Sequence, residues 1–247
     1  MRGAECSASF VVLGDMCGRY HLTAAAQELE KLFHLDRIPP GYKPRYNIAP
    51  TQPVAVVRQH PHKGARLEPL RWGLLPHWMK EPRKSTLMIN ARIESIHQRR
   101  AFQGALERRR CLIPATGFYE WRRVGKSRVP HRIEAVDLPI FAFAGLWERW
   151  QPAGQAPIDS VTLVTTRAVA PLAFIHQRMP VLLSPDRFDQ WMMPRIQPKE
   201  AVQSWLKDQP SPSLRAIRVT DHVNNVAHDD AECLKEAQSV GPLFSRP

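Results

Sequence analysis

The chain is 247 residues long, 43% of them hydrophobic, and carries a formal net charge of +12. That is enough chain for one large domain or two small ones with a real core, and no run approaches the ~18 apolar residues of a membrane span. The positive excess points to a polyanion, and because basic residues fall beside aromatics the expected polyanion is nucleic acid.

Residues 1–15 carry one arginine and a short apolar run at 10–13, a poor match to a secretory signal. They read as an upstream start or a propeptide ahead of Met16-Cys17-Gly18-Arg19-Tyr20. Initiation at Met16 with loss of the methionine makes Cys17 N-terminal, so that one residue carries an α-amine and a thiol. Near pH 7.5 roughly a third of α-amines are neutral, against about a thousandth of lysines. Such an amine forms a Schiff base with an aldehyde, and the neighbouring thiol can close a five-membered thiazolidine. By itself, Cys17 reads as readily as a small buried hydrophobe.

Downstream, Thr23 is expected to cap a helix running to 33. The Pro-rich stretch 36–53 is expected to be loop. Residues 54–57 read as a buried strand, 60–64 as a turn and 67–74 as its partner strand. A basic loop over 79–89 precedes Asn90-Ala91-Arg92, a helix over 96–108 and a strand at 110–113. Further strands are expected at 117–121, 132–133, 140–147, 161–165 and 214–219. Ser184 caps a short helix that has Pro185 in its first turn, and Pro198 opens another. Many short strands with peripheral helices predict a single α+β domain around a curled antiparallel, barrel-like sheet. It is placed at 16–235, with a C-terminal tail at 236–247.

Three polar groups fall in largely apolar surroundings. Glu120 lies between Tyr119 and Trp121, where burial would raise its pKa for acid–base work; it reads equally as a strand residue facing water. His176 by itself resembles a hydrogen-bonded core histidine, and a lone Asn90 is weak evidence. Together with Cys17 they form the set that capture of a ring-closed sugar aldehyde requires: an acid for the ring oxygen, a base for the amine and a group to hold the N-terminal residue. Trp72 and Trp78, with Arg19, Arg71, Arg92 and Arg178, have the composition of a single-strand binder, although a strand Trp is commonly core, so only one of the two is expected at the surface.

The four cysteines, Cys6, Cys17, Cys111 and Cys233, form no Cys-x-x-Cys, arguing against a disulfide framework or zinc ribbon and for a reducing cytosol. No phosphate-cradling glycine loop is present. Neither metal nor cofactor is expected.

Seven motifs in order carry a family resemblance: Met16-Cys17-Gly18-Arg19-Tyr20, Tyr46-Asn47-Ile48-Ala49-Pro50-Thr51, Arg71-Trp72-Gly73-Leu74, Asn90-Ala91-Arg92-Ile93-Glu94, Arg110 to Pro114 with Gly117 to Trp121, His176-Gln177-Arg178-Met179-Pro180, and Val219-Thr220 with Val223-Asn224-Asn225. The chain resembles the SOS-response-associated peptidase family of abasic-site processing proteins. The resemblance implies an α+β domain with a cationic channel, and covalent capture of abasic sites in single-stranded DNA through Cys17. It implies acid–base roles for Glu120 and His176, a holding role for Asn90, and DNA contacts at Arg19, Trp72, Arg92, Thr165, Arg178 and Trp78. The implied partner is abasic single-stranded DNA, met by a cytoplasmic, nucleoid-associated monomer. The alternatives are a thiol (auto)peptidase or lyase built on Cys17, His176 and Glu120, and a non-covalent nucleic-acid binder.

Overall fold

The apolar runs form thirteen strands among the described residues, 17–81, 87–151, 153–193 and 195–238 of a computed structural model. They are β1 (Arg19–Leu22), β2 (Arg45–Ile48), β3 (Pro53–His60), β4 (Gly64–Trp72), β5 (Asn90–Arg92), β6 (Arg110–Ala115) and β7 (Gly117–Val124). There follow β8 (Ser127–Ala135), β9 (Phe141–Trp150), β10 (Ile158–Arg167), β11 (Arg178–Pro180), β12 (Leu182–Leu183) and β13 (Leu214–Arg218). The expected segment 1–15 with Cys6, residues 82–86 of the basic loop and residues 239–247 of the tail lie outside the described residues.

Five strands close a barrel in the order β10-β4-β3-β6-β9, and β9 pairs back onto β10. β3 and β4 form a hairpin from Val54↔Leu70 to His60↔Gly64, and β6 runs antiparallel to β9 from Arg110↔Leu146 to Ala115↔Phe141. Closure leaves no exposed edge in this ring. Its core includes Tyr20, which meets Trp72 and Phe143 edge-on at 5.5 Å each. A second sheet runs β13-β8-β7-β1-β2. The helices α1 (Ala26–Phe33), α2 (Arg100–Arg108), α3 (Phe188–Met192) and α4 (Lys199–Lys207) are peripheral. The α+β, barrel-centred architecture is therefore the one expected, with two departures in sense: β10 runs parallel to both β4 and β5.

Local expectations differ from the structure where tertiary contacts outweigh local signals. The stretch 36–53 contains β2, whose flanking prolines hide it; Tyr20↔Ile48 and Leu22↔Arg45 pair it to β1. Ala25, not Thr23, is the N-cap of α1, and Glu28 closes the turn by accepting the Ala25 N–H at 2.7 Å. Thr23 Oγ1 instead meets Thr116 Oγ1 at 3.1 Å. α2 begins at Arg100 rather than 96. Ser184 precedes a 3-10 turn at Pro185–Arg187 without capping it through its side chain.

The C-terminal segment is fastened to β2. Asn47 Nδ2 donates to the carbonyls of Val223, Asn225 and His228, at 3.2, 3.0 and 2.8 Å. Asp229 accepts the N–H groups of Tyr46 and Asn47 at 2.6 and 2.9 Å and pairs with Arg45. The chain stays paired past 235, with Ala237 N–H bonded to the Arg218 carbonyl at 3.0 Å. Burial pushes the Asp229 carboxyl up, but Arg45 and the two amides outweigh it and hold its pKa below the usual range. A depressed pKa contributes stability above the unfolded value of about 4, and the contribution is lost as pH falls through the folded value. Asp229→Ala is expected to cost about 2 kcal/mol in urea unfolding at pH 7. Its difference from the parent should shrink once the pH drops below about 4.

Candidate functional site

The site lies where β7 of the second sheet meets β5 and β11 beside the barrel. Successive strand side chains point to opposite faces. Phe118 therefore joins the main core, while Tyr119 and Trp121 pack against Val219, Val223 and Cys233 on the other side. Glu120 and Arg122 follow Phe118 in this alternation. Gly117 opens the strand where space is tightest: a Cβ there would stand 2.8 Å from the Ile133 carbonyl and against the His21 ring.

The four expected catalytic residues come from four separate places in the chain. Cys17 is fully buried just ahead of β1. Its carbonyl accepts the Asn90 amide N–H at 2.8 Å. Burial, and next the adjacent Glu120 carboxyl, push the Cys17 thiol well above its ordinary pKa. Glu120 is itself buried, and its Oε1 lies 3.9 Å from His176 Nδ1. That nitrogen is 3.0 Å from both the N–H and the carbonyl of Arg178, accepting from one or donating to the other according to tautomer. The Asn90 carbonyl oxygen is buried with no hydrogen-bond partner among the described residues. The cluster thus offers a thiol, a carboxyl, an imidazole and an amide whose second arm is an unused acceptor.

The expected DNA contacts divide by burial. Trp72 is fully buried in the barrel, its indole N–H bonded to the Ile89 carbonyl at 2.9 Å, so it has no ring face to offer a base. Trp78 is 41% exposed, with the Arg100 guanidinium 4.8 Å from its ring centre. One Trp of the pair is thus at the surface, as expected. Trp72→Ala should lose about 3–5 kcal/mol of stability in chemical denaturation, while Trp78→Ala should stay within about 0.5 kcal/mol of the parent.

Arg19 is buried on the Tyr119 side. It donates to Asn47 Oδ1 at 2.7 Å and to the Val223 and Asn224 carbonyls at 2.9 and 3.3 Å, with its guanidinium over Trp121 at 5.7 Å. Burial lowers its pKa to about 10. It ties the C-terminal segment to β1. Thr165 is fully buried beneath Arg178, whose guanidinium reaches its carbonyl at 2.7 Å and pairs with both Glu94 oxygens at 2.7 and 3.0 Å. Arg92 is exposed, with no ion-pair partner among the described residues.

The motif reading passed over two groups of residues. The β7–β8 hairpin exposes Arg122, Arg123, Lys126 and Arg128, none in an ion pair among the described residues. The basic run after Trp121 was the available signal. His131 is the cross-strand neighbour of Glu120, and nothing in its local sequence marks it. The fold also gathers His222, Asp230 and Cys233 so that one ligand-type atom from each lies within 4.8 Å of the others, on the Tyr119 side. No spacing in the chain announces that cluster. Among the described residues no helix is long and apolar enough to cross a membrane.

Known proteins resemble this chain in sequence and in fold. The abasic site processing protein YoaM of Bacillus subtilis is 37% identical over 222 residues, 89% of this chain and 97% of its own. The abasic site processing protein HMCES of Gallus gallus is 29% identical over 235 residues, 78% of this chain and 66% of its own. A crystal structure of a Bordetella bronchiseptica protein superposes with a TM-score of 0.67 at 27% identity, covering 83% of this chain and all of that one. One from Bacteroides thetaiotaomicron reaches 0.76 at 21% identity over 90% of this chain, a likeness of fold. The family model described as SOS response associated peptidase (SRAP) matches residues 16–226, from the residue before Cys17 past the Asn47-anchored turn at 223–225. With both sheets and all four clustered residues inside that span, the chain belongs to the SOS response associated peptidase family.

Proposed function

We propose that this protein captures abasic sites in single-stranded DNA covalently, through a form that begins at Cys17. The observation that carries the reading is the seating of Cys17. Asn90 grips its carbonyl and Glu120 borders its thiol, with His176 Nδ1 3.9 Å from the carboxyl. A residue held by its carbonyl keeps its nitrogen and sulfur for chemistry. The names of the relatives and a family match that starts at residue 16 support the same reading.

The steps follow from these groups. Glu120 in its acid form protonates the sugar ring oxygen as the C1′ hydroxyl gives its proton to His176, which opens the aldehyde, and His176 returns that proton to Glu120. The neutral Cys17 amine adds to the aldehyde carbon, and loss of water leaves an imine. The thiol sulfur then adds to that carbon while its proton passes to nitrogen, closing a thiazolidine without any redox change. Asn90 Oδ1, without a hydrogen-bond partner among the described residues, accepts from the amine and aims its lone pair.

Thiol hydrolysis, the competing reading, fits less well. A cysteine hydrolase relies on a thiolate lowered by a neighbouring cation. Here burial and a carboxyl push the thiol the other way. The test is the intact mass of the protein, starting at Cys17, after exposure to an abasic single-stranded oligonucleotide. The expected product is the sum of the two masses less one water, stable in denaturant. Acetylation of the amine with the thiol left free should prevent it. If the acetylated protein crosslinks equally well, the amine-first reading is wrong.

A further inference from the structure

Phe174 is 54% exposed, two residues before His176 in the turn that leads to β11. An apolar ring in water beside the reacting groups is unusual, and this one is held in place. The Arg122 guanidinium lies over the ring at 5.5 Å, and the His131 imidazole meets it edge-on at 6.2 Å and 90°. His131 faces Glu120 across the β7–β8 ladder, and Arg122 is two residues farther along the strand, on the same face as Glu120. Beyond Arg122 the exposed Lys126 stands at the hairpin tip, unpaired among the described residues, while Arg123 and its cross-strand partner Arg128 alternate to the Tyr119 face. The ring and the Arg122 guanidinium thus form one surface beside Glu120 and His176, with Lys126 beyond it at the hairpin tip.

We propose that Phe174 is a stacking platform for the base next to the reacting sugar, and that Arg122 and Lys126 carry the phosphates of the same strand. The inference rests on the abasic-site reading and deepens it by placing the flanking DNA along the β7–β8 hairpin. Base-on-ring stacking with a guanidinium at the phosphate is the chemistry by which single strands are held without regard to sequence. A protein partner for an exposed Phe flanked by Arg would bring carboxylates. A nucleic acid strand brings both an aromatic face and evenly spaced negative charge, and so matches the ring and the cations beside and beyond it.

The test is fluorescence anisotropy with an unmodified single-stranded oligonucleotide, which excludes covalent chemistry, across a salt series. Phe174→Ala should weaken binding about tenfold with no change in salt dependence. Phe174→Trp should bind as tightly as the parent or tighter. Arg122→Ala/Lys126→Ala should reduce the slope of log affinity against log salt by about 1.4 for two lost phosphate contacts. Phe174→Leu keeps the apolar volume without the ring, so a folding defect and a lost stack are separable: Leu should bind like Ala. If Leu or Ala binds like the parent, the platform is refuted, whereas a parent that crosslinks normally would leave the abasic-site reading standing. A parent that neither binds nor crosslinks would remove both. A blunt duplex that competes better than the single strand would overturn the assignment of the hairpin to single-stranded DNA.

Discussion

Cys17→Ala is expected to abolish the denaturant-stable adduct with abasic DNA while leaving non-covalent binding to an intact single strand within about twofold of the parent. Alanine keeps the α-amine but removes the sulfur, so the reaction stops at an imine that water reverses. Borohydride reduction should therefore still trap a Cys17→Ala conjugate, at one-to-one stoichiometry, and peptide mapping should place it at residue 17. That pattern separates amine-first capture from attack by a lysine, which would crosslink independently of residue 17. It also separates it from thiol-first chemistry, in which no reducible conjugate forms once the sulfur is gone. Gel analysis with and without reductant reads all three outcomes. A Cys17→Ala protein that forms the stable adduct at the parental rate would remove Cys17 from the mechanism.

Glu120→Gln should slow crosslinking by roughly 10²–10⁴-fold, the usual range for loss of a positioned acid–base group. The variant keeps the shape of the side chain and loses its proton transfer. A second readout follows from the electrostatics. Burial is the larger cause of the raised Cys17 pKa and the Glu120 charge the next. A negative neighbour disfavours the thiolate, so removing that charge should lower the thiol pKa, although burial keeps it above the ordinary value. The pH dependence of alkylation by a small haloacetamide measures this. The parent should need higher pH than Glu120→Gln to reach half-maximal rate. If the two profiles coincide while crosslinking is slowed, Glu120 acts on the sugar alone and not on the nucleophile. His176→Ala should show the slowed crosslinking without the change in alkylation profile, since its contact is with Glu120 rather than with the sulfur.

How far the chain could be read follows from what kind of force each feature depends on. The barrel strands 54–57, 110–113, 140–147 and 161–165 were legible because each is a short apolar run that can only be buried, and burial in a closed sheet follows. β2 was not. Its four residues sit among prolines, and what makes them a strand is pairing with β1 and the Asp229 carboxylate on its amides, from 183 and 182 residues away in the chain. The parallel sense of β10 against β4 and β5 was equally hidden, since direction is set by connectivity in space. At the site, residue chemistry singled out Cys17, Asn90, Glu120 and His176, and the fold brings these four together.

By itself the sequence determined the α+β class, the family and the identity of the groups that cluster at the site, because those rest on residue types in order and on apolar periodicity. Only the tertiary structure decided which side chains face outward. Trp72 and Trp78 are chemically the same, yet one is sealed by the barrel and the other stands beside Arg100. Arg19 and Arg122 are both cations near the site, yet one is spent on the carbonyls of the C-terminal segment and the other lies over an exposed phenylalanine. Exposure depends on what packs against a residue from elsewhere in the chain, and no local pattern records that.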